Sequence, residues 1–114
     1  MLPTRHRMRT SAQFSDTVRS GARSGRRNVV VSVRMHTGEP SRVGFVVSKA
    51  VGNAVTRHAV SRKLRHTVVQ RSIVDTLPRE CDVVIRALPR SAAATSDELA
   101  HDLEKALEKV QKKR

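Results

Sequence analysis

The charge pattern between Glu39 and Asp75 constrains this chain more than any other feature. The stretch contains seven Lys or Arg residues and no Asp or Glu. It opens with an apolar run at residues 43–47, which predicts a strand, and continues through a turn that contains Gly52. Residues 54–72 then form a basic amphipathic segment. A helix whose charge has one sign predicts an anionic partner, and a phosphate backbone fits that description.

Helical spacing divides residues 54–72 into two faces. Polar positions three, four and seven apart fall on one face: His58, Ser61, Arg62 and Arg65. The opposite face is predicted to pack on a sheet: Val60, Leu64, Thr67 and Val68. A solvated charged surface is the alternative interpretation of the polar face. The face lacks acidic residues for pairing along the helix, which favours an external anion.

The start of the basic helix supports the same interpretation. Asn53 is predicted to be the N-cap, because its side chain can accept from a free N–H of the first turn. Arg57 falls in that turn, where the helix dipole disfavours a cation. A bound anion would meet both the arginine and the free N–H groups.

Residues 43–66 resemble the signature of the protein subunit of bacterial ribonuclease P, which reads V-G-x-x-V-S-K-K-x-G-x-A-V-x-R-N-x-x-K-R-x-x-R-E. The chain supplies eleven of these positions: Val43, Gly44, Val47, Ser48, Lys49, Gly52, Ala54, Val55, Arg57, Arg62 and Arg65. It departs from the pattern at four: Ala50, His58, Ser61 and His66. Two departures, His58 and Ser61, lie on the face assigned to RNA, where Lys63 or Arg71 could compensate.

The resemblance implies a function. In that family the RNA subunit holds the catalytic Mg²⁺ ions and hydrolyses the phosphodiester, while the protein contacts the 5′ leader of precursor tRNA. By that analogy the residues that contact the catalytic RNA are Lys49, Asn53, Arg57, Arg62 and Arg65. The polar helix face adds His58 and Ser61 to the predicted RNA-binding residues, and Lys63 is added as a compensating cation. The implied leader-binding cleft contains Phe14, Ser32 and Ser48. From the residue alone, Phe14 is interpreted as a core side chain in preference to a base-stacking one, and it is the resemblance that places it in the cleft.

The remaining patterns predict a single α+β domain over residues 1–114. Helices are expected at 10–20, 54–72 and 95–112, and strands at 28–36, 42–48 and 81–88, with the second strand completing a hairpin. Residues 1–9 are expected to be a basic, partly flexible arm, and residues 21–27 a loop. The order α-β-β-α-β-α predicts a two-layer sandwich. The resemblance adds a left-handed crossover and a fold similar to a ribosomal-protein domain.

Composition limits the other classes of function. A formal charge of +13 in 114 residues indicates a polyanionic partner. The sequence shows no apolar span for a membrane, no metal-ligand or nucleophile motif, and no pattern that calls for a protein partner. The single cysteine, Cys81, suits the reducing cytoplasm. A ribosomal or structural RNA-binding protein, a helix-turn-helix module and a metal-dependent nuclease remain the alternatives.

Overall fold

A computed structural model describes residues 4–8, 10–36, 38–77 and 80–112. Its helices are α1 (Ser11–Ser20), α2 (Ala54–Gln70), α3 (Ile73–Thr76) and α4 (Ser96–Lys112), with short 3-10 turns at Thr4–His6 and Pro89–Ala93. Its strands are β1 (Ala22–Gly25), β2 (Val29–Met35), β3 (Arg42–Val46) and β4 (Cys81–Ala87). The α+β class is confirmed, and each element predicted from the sequence is present within two residues of its expected bounds.

The strands form one sheet in the order β1-β2-β4-β3. β4 is antiparallel to β2 and parallel to β3, so α2 and α3 carry the chain across between two parallel neighbours. The predicted hairpin between β2 and β3 is therefore wrong. β4 is buried at every residue except Arg86, and such a strand is most stable between two others. The handedness of the crossover stays a prediction.

Residues 21–27 are not the predicted loop, because Ala22–Gly25 pair with β2 as the edge strand β1. The sequence Ala-Arg-Ser-Gly has little intrinsic preference for a strand. Pairing along the free side of β2 provides the stabilisation that the side chains do not. The turn that joins β1 to β2 contains Arg26, Arg27 and Asn28.

Local capping chemistry sets the helix starts, as predicted for Asn53. Thr10 and Gln13 exchange two hydrogen bonds of 3.2 Å at the start of α1, and Thr95 and Glu98 exchange bonds of 2.8 and 3.1 Å at the start of α4. The Asn53 side chain accepts from the Thr56 N–H at 2.9 Å and caps α2.

The core lies between one face of the sheet and the helices α2 and α4. Val29, Val31 and Val33 alternate along β2 and meet the apolar stripes of both helices. The predicted packing face of α2 is confirmed: Val60, Leu64, Thr67 and Val68 are buried. α1 covers the other face, where it contacts β2 and β4. This helix therefore adds a layer outside the predicted sandwich.

A buried carboxylate joins three strands at one end of the sheet. Asp82 in β4 accepts from Arg42 Nε at 2.8 Å and from His36 Nε2 at 3.0 Å. The hydrogen bond to Asp82 raises the pKa of the Arg42 guanidinium. Since Arg42 begins β3 and His36 follows β2, this network fixes the register on both sides of β4.

Part of the predicted arm, residues 6–8, contacts the sheet edge. Met8 is buried, and its N–H donates to the Val43 carbonyl at 3.2 Å. Arg7 forms a parallel bridge with Val43. Residues 1–3 and Arg9 of the predicted arm lie outside the described residues.

Candidate nucleic-acid interface

The edge groove consists of two adjoining clefts beside β3, each of about 300 Å³. The outer cleft is lined by Arg7, Met8, Phe14, Val43, Gly44, Phe45, Ser61 and Arg65. The inner cleft is lined by Phe45, Val47, Ala54, Arg57, His58, Ser61 and Arg65. Phe45, Ser61 and Arg65 belong to both. β3 is the last strand of the sheet, so the groove follows an open edge.

Phe14 forms a wall of the outer cleft because Gly44 leaves room for its ring. A Cβ at position 44 would lie 2.5 Å from the ring atoms Cε1 and Cζ, and 2.9 Å from Met8 Sδ. Such contacts are shorter than side chains tolerate, so only glycine permits this approach. Phe14 is half-buried, and its ring lies over Gly44 and lines the outer cleft.

The arginines of α2 supply the positive charge of the groove. Arg65 Nη2 donates to Ser61 Oγ at 2.7 Å, so the guanidinium lies beside the residue one helical turn earlier in α2. Arg57 Nε is buried and has no hydrogen-bond partner among the described residues. A buried donor without an acceptor is costly, so an external acceptor such as a phosphate oxygen would stabilise it. Of the described residues that line either cleft, none is acidic.

Five of the residues predicted from the sequence meet at the groove: Phe14, Arg57, His58, Ser61 and Arg65. Four others lie outside its lining. Lys49, Asn53 and Arg62 are exposed, and Ser48 is half-buried in the turn that leads to α2. The Asn53 side chain already serves as the helix cap.

Ser32, predicted in the cleft, and Lys63, predicted to bind RNA, do not line the groove. Ser32 is only 3% exposed, because it lies on the sheet face that α1 covers rather than facing outward. Lys63 points away from the groove, and its Nζ donates to the Ala94 carbonyl at 3.2 Å beyond the second 3-10 turn. Periodicity placed each residue on a helix or strand but did not show which neighbour covers it.

The sequence interpretation overlooked Phe45 and Arg7. Phe45 was treated only as part of a strand, yet it lines both clefts. A signal was available, because Phe14 and Phe45 are the only aromatic residues among Phe, Tyr and Trp in the chain. Arg7 is placed at the groove by its bridge to Val43, and no local sequence pattern predicts that pairing.

The hairpin cleft, beside the turn between β1 and β2, contrasts with the edge groove. It has a volume of about 880 Å³ and is lined by Gly25, Arg26, Arg27, Asn28, Arg90, Asp97, Glu98, His101 and Asp102. Asp102 is buried and accepts from the backbone N–H and Nδ2 of Asn28 at 3.0 and 2.9 Å. Arg26 Nε lies 3.7 Å from the same carboxylate. The arginines here therefore have acidic neighbours.

The described residues contain no cluster of three or more His, Cys, Asp or Glu side chains that could hold a metal ion. Within the same residues, no helix is long and apolar enough to span a bilayer.

The sequence is similar to that of known proteins along most of its length. A family model described as Ribonuclease P matches residues 2–111. The ribonuclease P protein component of Kocuria rhizophila is 66% identical over 107 residues, covering 94% of this chain and 93% of that protein. The protein component of Corynebacterium diphtheriae is 47% identical over 121 residues and covers all of both chains.

Solved structures show the same fold. The ribonuclease P protein of Staphylococcus aureus superimposes with a TM-score of 0.78 at 24% identity, covering 90% of this chain and 93% of that one. The protein from Thermotoga maritima gives a TM-score of 0.78 at 20% identity, with coverage of 91% and 96%.

Proposed function

The chain belongs to the ribonuclease P protein family, and from that premise we propose that its edge groove holds the single-stranded 5′ leader of precursor tRNA. Membership makes the chain the protein component of an endoribonuclease complex that processes tRNA 5′ ends, with catalysis in the RNA subunit. The resemblance seen in the sequence is confirmed. What remains to be assigned is the part that each surface plays.

One observation carries the proposal: both aromatic side chains and the unpaired Arg57 meet in one groove. Phe14 and Phe45 offer ring surfaces on which unpaired bases can stack. Arg57 and Arg65 offer donors for phosphate oxygens at the neighbouring positions. An extended single strand carries a base and a phosphate at each nucleotide, so it can use both kinds of contact at once.

The exposed polar surface outside the groove is assigned to the catalytic RNA. Lys49 and Arg62 are exposed near the inner cleft but do not line it. A folded RNA presents phosphates over a broad surface, which suits scattered cations better than a groove does. Arg71 forms a 3.0 Å ion pair with Glu104, so we assign it a smaller part.

Mg²⁺ enters this proposal through the RNA. The family implies a metal-dependent complex, and we place its Mg²⁺ ions on the RNA subunit. The protein would help by neutralising nearby phosphates, which lowers the repulsion between substrate and catalytic RNA. We place the complex in the cytoplasm.

Reconstitution at limiting Mg²⁺ tests the assignment of the groove. The full chain is combined with a bacterial ribonuclease P RNA, and cleavage is measured on precursor tRNAs with an eight-nucleotide or a one-nucleotide leader. We expect the wild-type protein to lower KM more for the longer leader. The Arg57→Ala/Arg65→Ala variant should lose that difference.

The control is Arg26→Ala/Arg27→Ala, which removes equal charge from the hairpin cleft and should keep the leader preference. Equal stimulation of both substrates by the wild-type protein would contradict the leader assignment while leaving the family role intact. Cleavage by the protein without RNA would overturn the assignment of catalysis to the RNA.

A further inference from the structure

The open edge of β3 at Phe45 supports an inference beyond stacking and charge. Alternate residues of a strand direct their N–H and C=O groups to opposite sides. Val43 directs its groups away from β4, because its carbonyl accepts from the Met8 N–H. Phe45, two residues later, directs its groups the same way. Within the described part of the chain, neither its N–H nor its C=O has a partner.

The groove passes over this edge. Gly44 contacts the Phe14 ring on one face of the sheet. Phe45 packs against the core on the opposite face, which α2 covers. The outer cleft is lined by residues from both sides, so it must cross the strand between them. The unpaired N–H and C=O of Phe45 therefore border the space where the leader is proposed to lie.

We propose that the backbone N–H and C=O of Phe45 bind the hydrogen-bonding edge of one leader nucleobase, next to the Phe14 ring. This inference rests on the proposed function of the groove. Unpaired RNA bases are recognised through their Watson–Crick and Hoogsteen edges, which carry donors and acceptors side by side. One outward-facing strand residue presents the complementary pair. Arg65 then meets the adjacent phosphate.

A nucleobase fits this edge better than a peptide strand does. Strand addition needs a run of outward-facing residues along the edge. Here the Val43 carbonyl already accepts from the Met8 N–H, and Arg7 bridges to the same residue. Since β3 ends at Val46, Phe45 is the one outward-facing residue of the strand left without a described backbone partner. That suffices for one base but not for a ladder. The acid-free lining with Arg57 and Arg65 also favours RNA.

The contact would tolerate different leader sequences. Every nucleobase carries a donor beside an acceptor on at least one edge, so a backbone pair can bind each after a small shift. A side-chain amide or carboxylate in the same place would select particular bases more strongly. We therefore expect the edge to recognise the presence of a base more than its identity.

Amide hydrogen exchange measured by NMR tests the proposal on the full chain. The probes are a single-stranded RNA of eight nucleotides and an abasic strand of the same length. We expect the first RNA to slow exchange of the Phe45 amide by roughly tenfold and the abasic strand to leave it unchanged. The amides of Gly44 and Val46 face β4 and serve as internal controls, because they are protected in every state.

The outcomes separate the edge contact from the groove itself. If the RNA shifts the signals of Arg57 and Arg65 but leaves the Phe45 amide fast, the edge contact is wrong and the leader groove stands. If neither strand binds, the proposed function of the groove falls as well. Equal protection by the abasic strand would point to ribose or phosphate. Protection that rises with protein concentration alone would point to pairing with a second chain.

A backbone substitution gives an independent test. Phenyllactic acid at position 45 replaces the N–H with an ester oxygen and keeps the side chain. We expect about fivefold weaker binding of the eight-nucleotide RNA, as for one lost hydrogen bond. Unchanged affinity in a variant that retains the wild-type melting temperature would overturn the proposal.

Discussion

The edge groove and the hairpin cleft both contain arginines, but among the described residues the lining of the edge groove includes no acid, whereas the hairpin cleft places three acids beside its arginines. The clefts lie beside β3 and β1, the two outer strands of the sheet. Arg26 and Arg27 share the hairpin cleft with Asp97, Glu98 and Asp102. Arg57 and Arg65 share the edge groove with apolar side chains, His58 and Ser61. From this difference we infer that the presence of nearby acids, rather than the number of cations, decides whether an arginine cluster is available to an external anion.

The largest expected effect comes from removing the uncompensated charge. Arg57→Ala/Arg65→Ala should weaken binding of a single-stranded leader RNA by about 100-fold, because two charge-assisted contacts are lost. The slope of log Kd against log salt should fall by about 1.4. Fluorescence anisotropy over a salt series measures both quantities.

Arg26→Ala/Arg27→Ala is the matched control and should change the affinity by less than about threefold, through long-range charge alone. A similar loss of RNA affinity in the two double variants would mean that both clefts bind RNA, which would contradict the contrast drawn between them.

The second effect concerns stability at the hairpin cleft. Asp102→Asn removes the carboxylate that accepts from Asn28 and faces Arg26. We expect a loss of about 2 kcal/mol in the free energy of unfolding, with a fall in Tm of roughly 10 °C. Calorimetry gives the stability, and anisotropy at a temperature where the variant is folded should give an unchanged affinity. Weaker RNA binding by the folded variant would show that this region also contacts RNA.

A pair of glycine substitutions sharpens the comparison further. Gly44→Ala forces the Phe14 ring to move, since the added Cβ would lie 2.5 Å from it, and should cost about 1.5 kcal/mol. At Gly25, in the hairpin cleft, a Cβ would lie 3.8 Å from Val30 Cγ2, which is an ordinary contact. Gly25→Ala should therefore change stability by less than about 0.5 kcal/mol.

Chemical denaturation measures these differences, and leader affinity should fall only for Gly44→Ala. Equal effects at the two glycines would mean that the Phe14 ring adapts without cost.

The smallest effect is a pH dependence at the hairpin cleft. Hydrogen bonds from the backbone and side chain of Thr95 lower the pKa of the Glu98 carboxyl. The resulting stabilisation is present above the unfolded pKa of roughly 4.3 and is lost as the pH falls through the lower folded pKa. Glu98→Gln keeps the capping geometry but removes this titration.

The difference in Tm between wild type and Glu98→Gln should therefore shrink as the pH falls from 7 towards 3. If the difference in Tm stays constant over this pH range, the charge of the Glu98 carboxylate does not contribute to stability.

The sequence predicted what local chemistry decides. The capping residues Thr10, Asn53 and Thr95 fixed the helix starts, and the apolar spacing of α2 identified its buried face. Strand order was missed because it depends on where β4 inserts, and the pairing of β1 with β2 overrides weak local preference.

The site followed the same division. The helical repeat placed Arg65 on the polar face of α2, and Arg57 was singled out by its position in the first turn, where the dipole disfavours a cation. The burial of Ser32 under α1 and the bond from Lys63 to the Ala94 carbonyl did not follow from the sequence, because those neighbours are distant along the chain. Phe45 was overlooked because its exposure to the groove depends on β3 being the edge strand, which the sequence does not show.

The unpaired backbone edge of β3 at Phe45 also makes self-association possible when no RNA is bound. An exposed strand edge can template pairing with another copy, and charged residues beside such an edge discourage it. Arg57 and Arg65 flank this edge, and the whole chain carries a formal charge of +13, so two copies repel as they approach. The arginines that we propose to bind the leader would thus also oppose self-association, and neutralising them would favour pairing between two copies at this edge.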